Sequence, residues 1–185
     1  NKLYNNAHVL FEDELTPEMK KILDSKTGHF ICYDAVFSQS LSTPVRPVFD
    51  ASRNTPGGSN LNDCLVRGMP VLTNLLGVLL GWVLEKEAVI GDIGQFYNAF
   101  LLDPRDVPYQ KFLYKKNLDV NEKTVMGVIL TLIYGVRSVA AQSEVGMEKL
   151  CEVIEGEYPH VAKLLRSSRY VDDIAKSLRN KEDIN

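Results

Sequence analysis

The sequence predicts a mixed domain in which strands alternate with helices, on three observations. Segments rich in β-branched residues, such as Thr124 to Ile133, interleave with segments of helical spacing, such as Val139 to Ile154. Breaker clusters separate them, the strongest being Asn54-Thr55-Pro56-Gly57-Gly58-Ser59-Asn60. Two candidate strands run into carboxylates, at Asp92 and at Asp172-Asp173. With 185 residues, 45% of them hydrophobic, the chain can bury the core of one domain, or of one with a smaller appendage.

Taken in order, Thr16-Pro17-Glu18 has the form of an N-cap followed by Pro at the first helical position, and the helix runs through Met19, Ile22 and Leu23 to a stop near Gly28. His29 to Val36 and Val45 to Phe49 read as strands separated by a Ser/Thr/Pro loop. Pro70 to Glu85 reads as a long, buried apolar helix, and Ala88-Val89-Ile90 as a short buried strand leading to Asp92. Asp103-Pro104 and Val107-Pro108 mark a turn before a strand at Tyr109 to Tyr114, and Lys115 to Lys123 is a polar turn. The strand Thr124 to Ile133 is broken by Tyr134-Gly135, after which Val139, Gln142, Val145, Leu150 and Ile154 set an imperfectly amphipathic helix.

Composition excludes several classes. A formal charge of −3 argues against a strongly basic nucleic-acid binder, so any such role rests on local patches. Cys32, Cys64 and Cys151 are widely spaced and odd in number, which indicates neither a disulfide framework nor a zinc site and points to a reducing compartment. The apolar run from Pro70 to Leu84 is interrupted by Thr73 and Asn74 and is shorter than the roughly 18 to 20 residues that span a bilayer, so no membrane association is expected. No charged segment followed by an apolar one opens the chain in the manner of a secretory signal.

Tyr170-Val171-Asp172-Asp173 is the most informative stretch. Neighbouring residues on a regular strand point to opposite faces, so an adjacent carboxylate pair fits better at a hairpin tip, where both groups can serve one hard divalent cation. A Tyr-x-Asp-Asp arises by accident in roughly one or two chains per hundred of this length, so partners elsewhere must carry the reading.

Those partners exist. Asp92-Ile93-Gly94-Gln95-Phe96-Tyr97, then Tyr134-Gly135-Val136 opening a helix, then Tyr170-Val171-Asp172-Asp173 resembles, in order, the three central palm motifs of reverse transcriptases. Arg46-Pro47-Val48-Phe49-Asp50-Ala51-Ser52, the stretch Gly57 to Leu65, and Gly68 look like the fingers segment of BEL/Pao-type long-terminal-repeat retrotransposon polymerases. The resemblance covers about Val36 to Ser177. It implies an α+β fold of polymerase fingers and palm over residues 36–185, ending before a thumb, with a small antiparallel sheet backed by helices; residues 1–35 form an N-terminal lead-in.

The same resemblance implies RNA-directed DNA synthesis. Two-metal nucleotidyl transfer activates a primer 3′ hydroxyl and neutralises the pyrophosphate leaving group with ions about 3.5 to 4 Å apart. Asp92, Asp172 and Asp173, with the Ile93 carbonyl, are the implied ligands of two Mg²⁺ ions, for which Mn²⁺ can substitute. Arg46 is implied to grip the dNTP triphosphate, Tyr97 to exclude a 2′ hydroxyl beneath the sugar, and Tyr170 and Gly135 to touch nucleic acid. The implied partners are an RNA or DNA template with its primer, dNTPs and the remainder of a retrotransposon polyprotein; the implied compartment is intracellular, in the cytoplasm, virus-like particles or nucleus.

Each residue has a structural counterpart to that role. Asp92 can form a turn or cap, Tyr97 can be core beside Phe96 and Phe100, and Arg46 can be a solvated strand charge paired with Asp50. Gly57 and Gly58 can serve a turn of positive φ, and Lys111, Lys115, Lys116 and Lys123 can be a solvated face, the alternative being contact with template phosphates. His8, His29 and His160 show no common metal spacing. The chain also departs from the family pattern. Val139-Ala140 stands where a Ser-Pro pair is usual, and Ser42-Thr43-Pro44-Val45 where a lysine commonly precedes Arg46. These departures leave open a second reading, a catalytically inactive fragment of the same fold that acts as a nucleic-acid or protein interaction module.

Overall fold

The computed structural model describes residues 9–24, 27–37, 39, 44–69, 73–115 and 121–180. The chain divides into two units, one of Asn1–Arg67 with Tyr97–Val139 and one of Gly68–Phe96 with Ala140–Asn185. Each is a mixture of helices and small antiparallel sheets, so the α+β class holds.

In the first unit, β1 (Val9–Phe11), β6 (Val125–Ile129) and β5 (Lys111–Tyr114) form a three-stranded antiparallel sheet with β6 in the centre. Central position explains why Val128 and Ile129 are fully buried. A separate hairpin pairs β2 (Cys32–Phe37) with β3 (Val45–Asp50), in register from Cys32 opposite Asp50 to Phe37 opposite Val45. The core gathers Ile31, Ala51, Leu61, Phe112, Ile129 and Ile133, with Phe112 held edge-on by Phe11, Tyr33 and Phe49. The helix α1 (Pro17–Leu23) starts where Thr16 accepts the Met19 amide at 3.2 Å, and Leu23 joins Leu15, Val107 and Val128 in a second cluster.

Boundaries shift where backbone geometry overrides local preference. Val107–Gln110 forms a 3₁₀ turn, so β5 begins at Lys111 rather than Tyr109; Pro108 has no amide to donate to a ladder. β6 stops at Ile129 rather than Ile133, although an isolated bridge joins Leu101 to Thr131. A short helix, α2 (Leu61–Cys64), follows the breaker cluster because Asn60 accepts the Asp63 amide at 2.9 Å. Residues 116–120 of the polar turn, most of the Ser/Thr/Pro loop, and His8 lie outside the described residues.

In the second unit, β4 (Glu87–Asp92), β8 (Asp173–Leu178) and β7 (Arg169–Tyr170) form an antiparallel sheet with β8 in the centre. The helix α3 (Leu75–Val83) packs on β8, and α5 (Pro159–Ser167) on β7. The hydroxyl of Ser177 pins α3 to the sheet, donating to the Gly81 carbonyl at 2.6 Å and accepting from the Glu85 amide at 3.1 Å. The long helix α4 spans Val139–Ile154, as its spacing predicts, and from Ala140 onward belongs to this unit. α5 has its own local signal: Pro159 sits in its first turn, and Ala162 and Leu165, three residues apart, are its buried stripe.

The expectation of a buried helix over Pro70 to Glu85 is corrected. Asn74 caps α3 by accepting the Gly77 amide at 3.3 Å, so the helix starts at Leu75, while Pro70 to Leu72 lie outside the described residues. Only Val78 is buried, whereas Leu76 is 64% and Val83 66% exposed. An apolar helix against one small sheet can cover a single stripe, whatever the composition of its other faces. No helix of the described residues is long and apolar enough to cross a membrane.

Candidate active site

The three candidate catalytic carboxylates all fall in the second unit, at one end of its sheet. β4 and β8 pair so that Asp92 stands directly opposite Asp173. Beyond that pair the Ile93 amide donates to the Asp172 carbonyl at 2.8 Å, which makes Asp92 and Asp173 a non-hydrogen-bonded pair. Their Cα atoms are therefore about 4.5 Å apart, with both side chains on one face of the sheet. Asp92 and Asp173 are exposed and Asp172 is half-buried.

This donor set suits a hard divalent cation. Like charges directly opposite on a sheet repel, and a cation between oxygen donors reverses the sign of that interaction. Among the described residues no three His, Cys, Asp or Glu side chains already converge as a metal-holding group. The fit rests on donor type and strand register.

Asp172 reaches its place through a strained turn. Tyr170 pairs with Asp173, leaving Val171 and Asp172 as a two-residue hairpin loop. Val171 has φ of 57° while Asp172 does not enter the left-handed region, the pattern of a type II′ turn. Gly is the ordinary residue at that first loop position, and a β-branched side chain there costs of order 1–3 kcal/mol. Val171→Gly is therefore expected to stabilise the second unit by about 1 kcal/mol after the entropy cost of glycine, seen as a higher urea midpoint with unchanged slope.

Arg169 holds the turn from below. Its Nη1 donates to Glu144 Oε1 at 2.9 Å and to the Val171 carbonyl, and its Nη2 donates to Glu144 Oε2 at 2.7 Å. Arg169 and Glu144 are only 4% and 6% exposed, and the guanidinium lies 5.5 Å from the Phe96 ring centroid. Sequence reasoning missed both residues. The available signals were an arginine immediately before the Tyr-Val-Asp-Asp stretch, and Glu144 on the helical stripe of Met147 and Cys151.

Of the other candidate residues, Ile93 and Tyr170 lie beside these carboxylates in the second unit, whereas Arg46, Tyr97 and Gly135 fall in the first. Arg46 lies on β3 opposite Val36 and is exposed. Asp50, weighed as a partner for Arg46, has partners nearer in the chain: its carboxylate accepts from the Ser52 amide at 3.0 Å and from its hydroxyl, and contacts Arg53 at 3.5 Å. Those donors hold the Asp50 carboxyl below its usual range, the Ser52 hydroxyl contributing most. An aspartate that closes its own turn through the second residue on is already satisfied.

Tyr97 is 8% exposed at the start of a 3₁₀ turn, its ring edge-on to Tyr134 at 4.5 Å. Gly135 has φ of 94°, and a Cβ there would lie 2.4 Å from the Phe49 carbonyl oxygen. Asn62 secures this turn from both sides: its Nδ2 donates to the Gly135 carbonyl at 2.9 Å, and its Oδ1 accepts from the Arg137 amide at 2.7 Å. Sequence reasoning did not single out Asn62, whose partners lie more than seventy residues away.

Two minor expectations resolve differently. Gly58, with φ of 83°, does occupy a left-handed turn position, whereas Gly57 does not. The solvated lysine face is corrected at Lys111, which is buried, its ammonium 4.8 Å from the centroid of the Phe30 ring. Lys123 is exposed, and Lys116 lies outside the described residues.

The fold is reverse-transcriptase-like. In particular, the chain is similar to the foamy viral protease-reverse transcriptase in complex with an RNA/DNA hybrid, with a TM-score of 0.55 and 16% sequence identity. The match covers 85% of this chain and 18% of that one, so the chain spans less than a fifth of the protein it resembles. No family model and no curated protein matches the chain.

Proposed function

We propose that this chain is the fingers and palm of an RNA-directed DNA polymerase of the BEL/Pao retrotransposon type. The observation that carries the reading is the strand register that sets Asp92 opposite Asp173, with Asp172 at the adjoining hairpin turn. Asp92, Asp172 and Asp173, with the Ile93 carbonyl, would hold two Mg²⁺ ions, or Mn²⁺ in their place. When bound, these ions lower the pKa of a primer 3′ hydroxyl and neutralise the pyrophosphate leaving group. The strand register fixes the backbone that carries Asp92 and Asp173 before substrate arrives, which would limit the reorganisation the reaction requires.

Arg46, exposed and permanently charged, offers a planar fork to the triphosphate of a dNTP. Tyr97 provides a ring held against Tyr134, and a steric gate against a 2′ hydroxyl requires such a fixed surface. Tyr170 and Gly135 are assigned to the template and primer. The bound RNA/DNA hybrid of the foamy viral neighbour supports nucleic acid as the ligand class.

The test is Mg²⁺- and Mn²⁺-dependent extension of a labelled primer on RNA and DNA templates. Extension by the wild-type protein and at least about a thousandfold loss in Asp172→Asn are expected, since a metal-bridging carboxylate contributes several kcal/mol to the transition state. Equal extension by the variant contradicts the assignment. The second reading, an interaction module without turnover, draws on Val139-Ala140 in place of a Ser-Pro pair and predicts binding of primer and template, or of a protein, with no extension by the folded wild type.

A further inference from the structure

We propose that Arg169 is the positioning residue of the Tyr170–Asp173 hairpin, fixing through the Val171 carbonyl the strained turn that carries Asp172. The inference rests on the polymerase reading for its kinetic consequence, and on geometry alone for its structural one. Three observations meet at this guanidinium. It is buried, it is clamped by both oxygens of Glu144, and it spends a third hydrogen bond on the carbonyl of the residue whose φ is 57°.

A β-branched residue leaves the left-handed region unless its surroundings hold it there. Within the hairpin, the Arg169–Ile174 and Tyr170–Asp173 pairs and the Ala175 amide bond to Ser168 fix the strands below the turn. Among the described residues, the Arg169 fork alone grips the Val171 carbonyl from outside the strand ladder. The opposite carbonyl of the loop, that of Asp172, accepts the Ile93 amide, so a turn that relaxes also loosens β4 next to Asp92. Glu144 in turn aims the fork, because a bidentate carboxylate fixes the guanidinium plane.

Arg169→Lys separates these roles. A lysine keeps the charge opposite Glu144 but, as a point donor on a flexible stem, does not reproduce the planar fork that serves Glu144 and Val171 together. Hydrogen exchange of the Ile93 amide is expected to accelerate at least tenfold, with exchange in α4 and α5 unchanged. The kcat for nucleotide incorporation is expected to fall about a hundredfold, with the KM for dNTP within twofold, as for a misplaced reacting group. Unchanged Ile93 exchange and unchanged kcat in a folded Arg169→Lys protein overturn the proposal and leave the ion pair a structural role only.

If Arg169→Lys fails to fold, Glu144→Gln keeps the shape and one strong acceptor while loosening the fork. The same two readouts are then expected to move in the same direction by a smaller factor, and no movement overturns the proposal. If the wild-type protein extends no primer, the polymerase reading fails, while the exchange of the Ile93 amide still decides the clamp.

Discussion

Replacing Glu144 with alanine is expected to destabilise the second unit by about 3–5 kcal/mol, the range found when one partner of a buried ion pair is removed. Arg169 is 4% exposed, so its charge would stay buried with only the Val171 carbonyl as a hydrogen-bonded acceptor. Dispersal of that charge into the Phe96 ring face offsets little of the loss. Urea unfolding measures the effect as a lower midpoint. Replacing both partners at once, with Glu144→Met and Arg169→Leu, is expected to cost much less than Glu144→Ala, because no buried charge remains. The double variant would still lose the bond to Val171 and with it the hold on the turn. The comparison separates what the pair does for stability from what Arg169 does for the hairpin.

The second large effect is expected at Gly135. An alanine there must adopt φ of 94°, outside the region that L-residues populate, and place its Cβ 2.4 Å from the Phe49 carbonyl oxygen. That oxygen belongs to the backbone, so relief requires one strand or the turn to move. Moving the turn also breaks the two Asn62 bonds that brace it. Together these amount to about 2–4 kcal/mol lost from the first unit, read from the denaturation midpoint. Gly58→Ala is the matched control. Its φ is 83°, but nothing lies within 4 Å of the added Cβ, so only the backbone strain of about 1–2 kcal/mol is expected.

Much of this architecture was legible in the sequence because its signals are local. The Thr16-Pro17 cap, the span of α4 and the strand leading into Asp92 follow from neighbouring residues alone, although that strand is not buried as expected, Ile90 being 65% exposed. The hairpin at Tyr170 to Asp173 was legible for a related reason, since two adjacent carboxylates between apolar residues cannot share one face of a straight strand. What remained hidden is what distance in the chain conceals. Asp92 and Asp173 meet by strand pairing, Glu144 and Arg169 by helix packing, and Asn62 and Gly135 across most of the first unit. Composition also says how apolar α3 is without saying what covers it, and only Val78 of its residues is buried. Lys111 was misplaced because its charge was weighed and its stem was not: the stem can be buried while the ammonium rests on Phe30.

The proposed metal site makes its sharpest statement about Mn²⁺ binding, which needs neither primer nor template. Titration of the protein with Mn²⁺, followed by the paramagnetic resonance of the free ion, is expected to reveal a site that Asp92→Asn and Asp173→Asn each weaken at least tenfold. The two residues belong to different strands and share only their opposition across the sheet. Equal loss in both variants is the predicted result. Mn²⁺ binding that survives either substitution unchanged would contradict a shared cation site, and with it the two-metal reading of this hairpin.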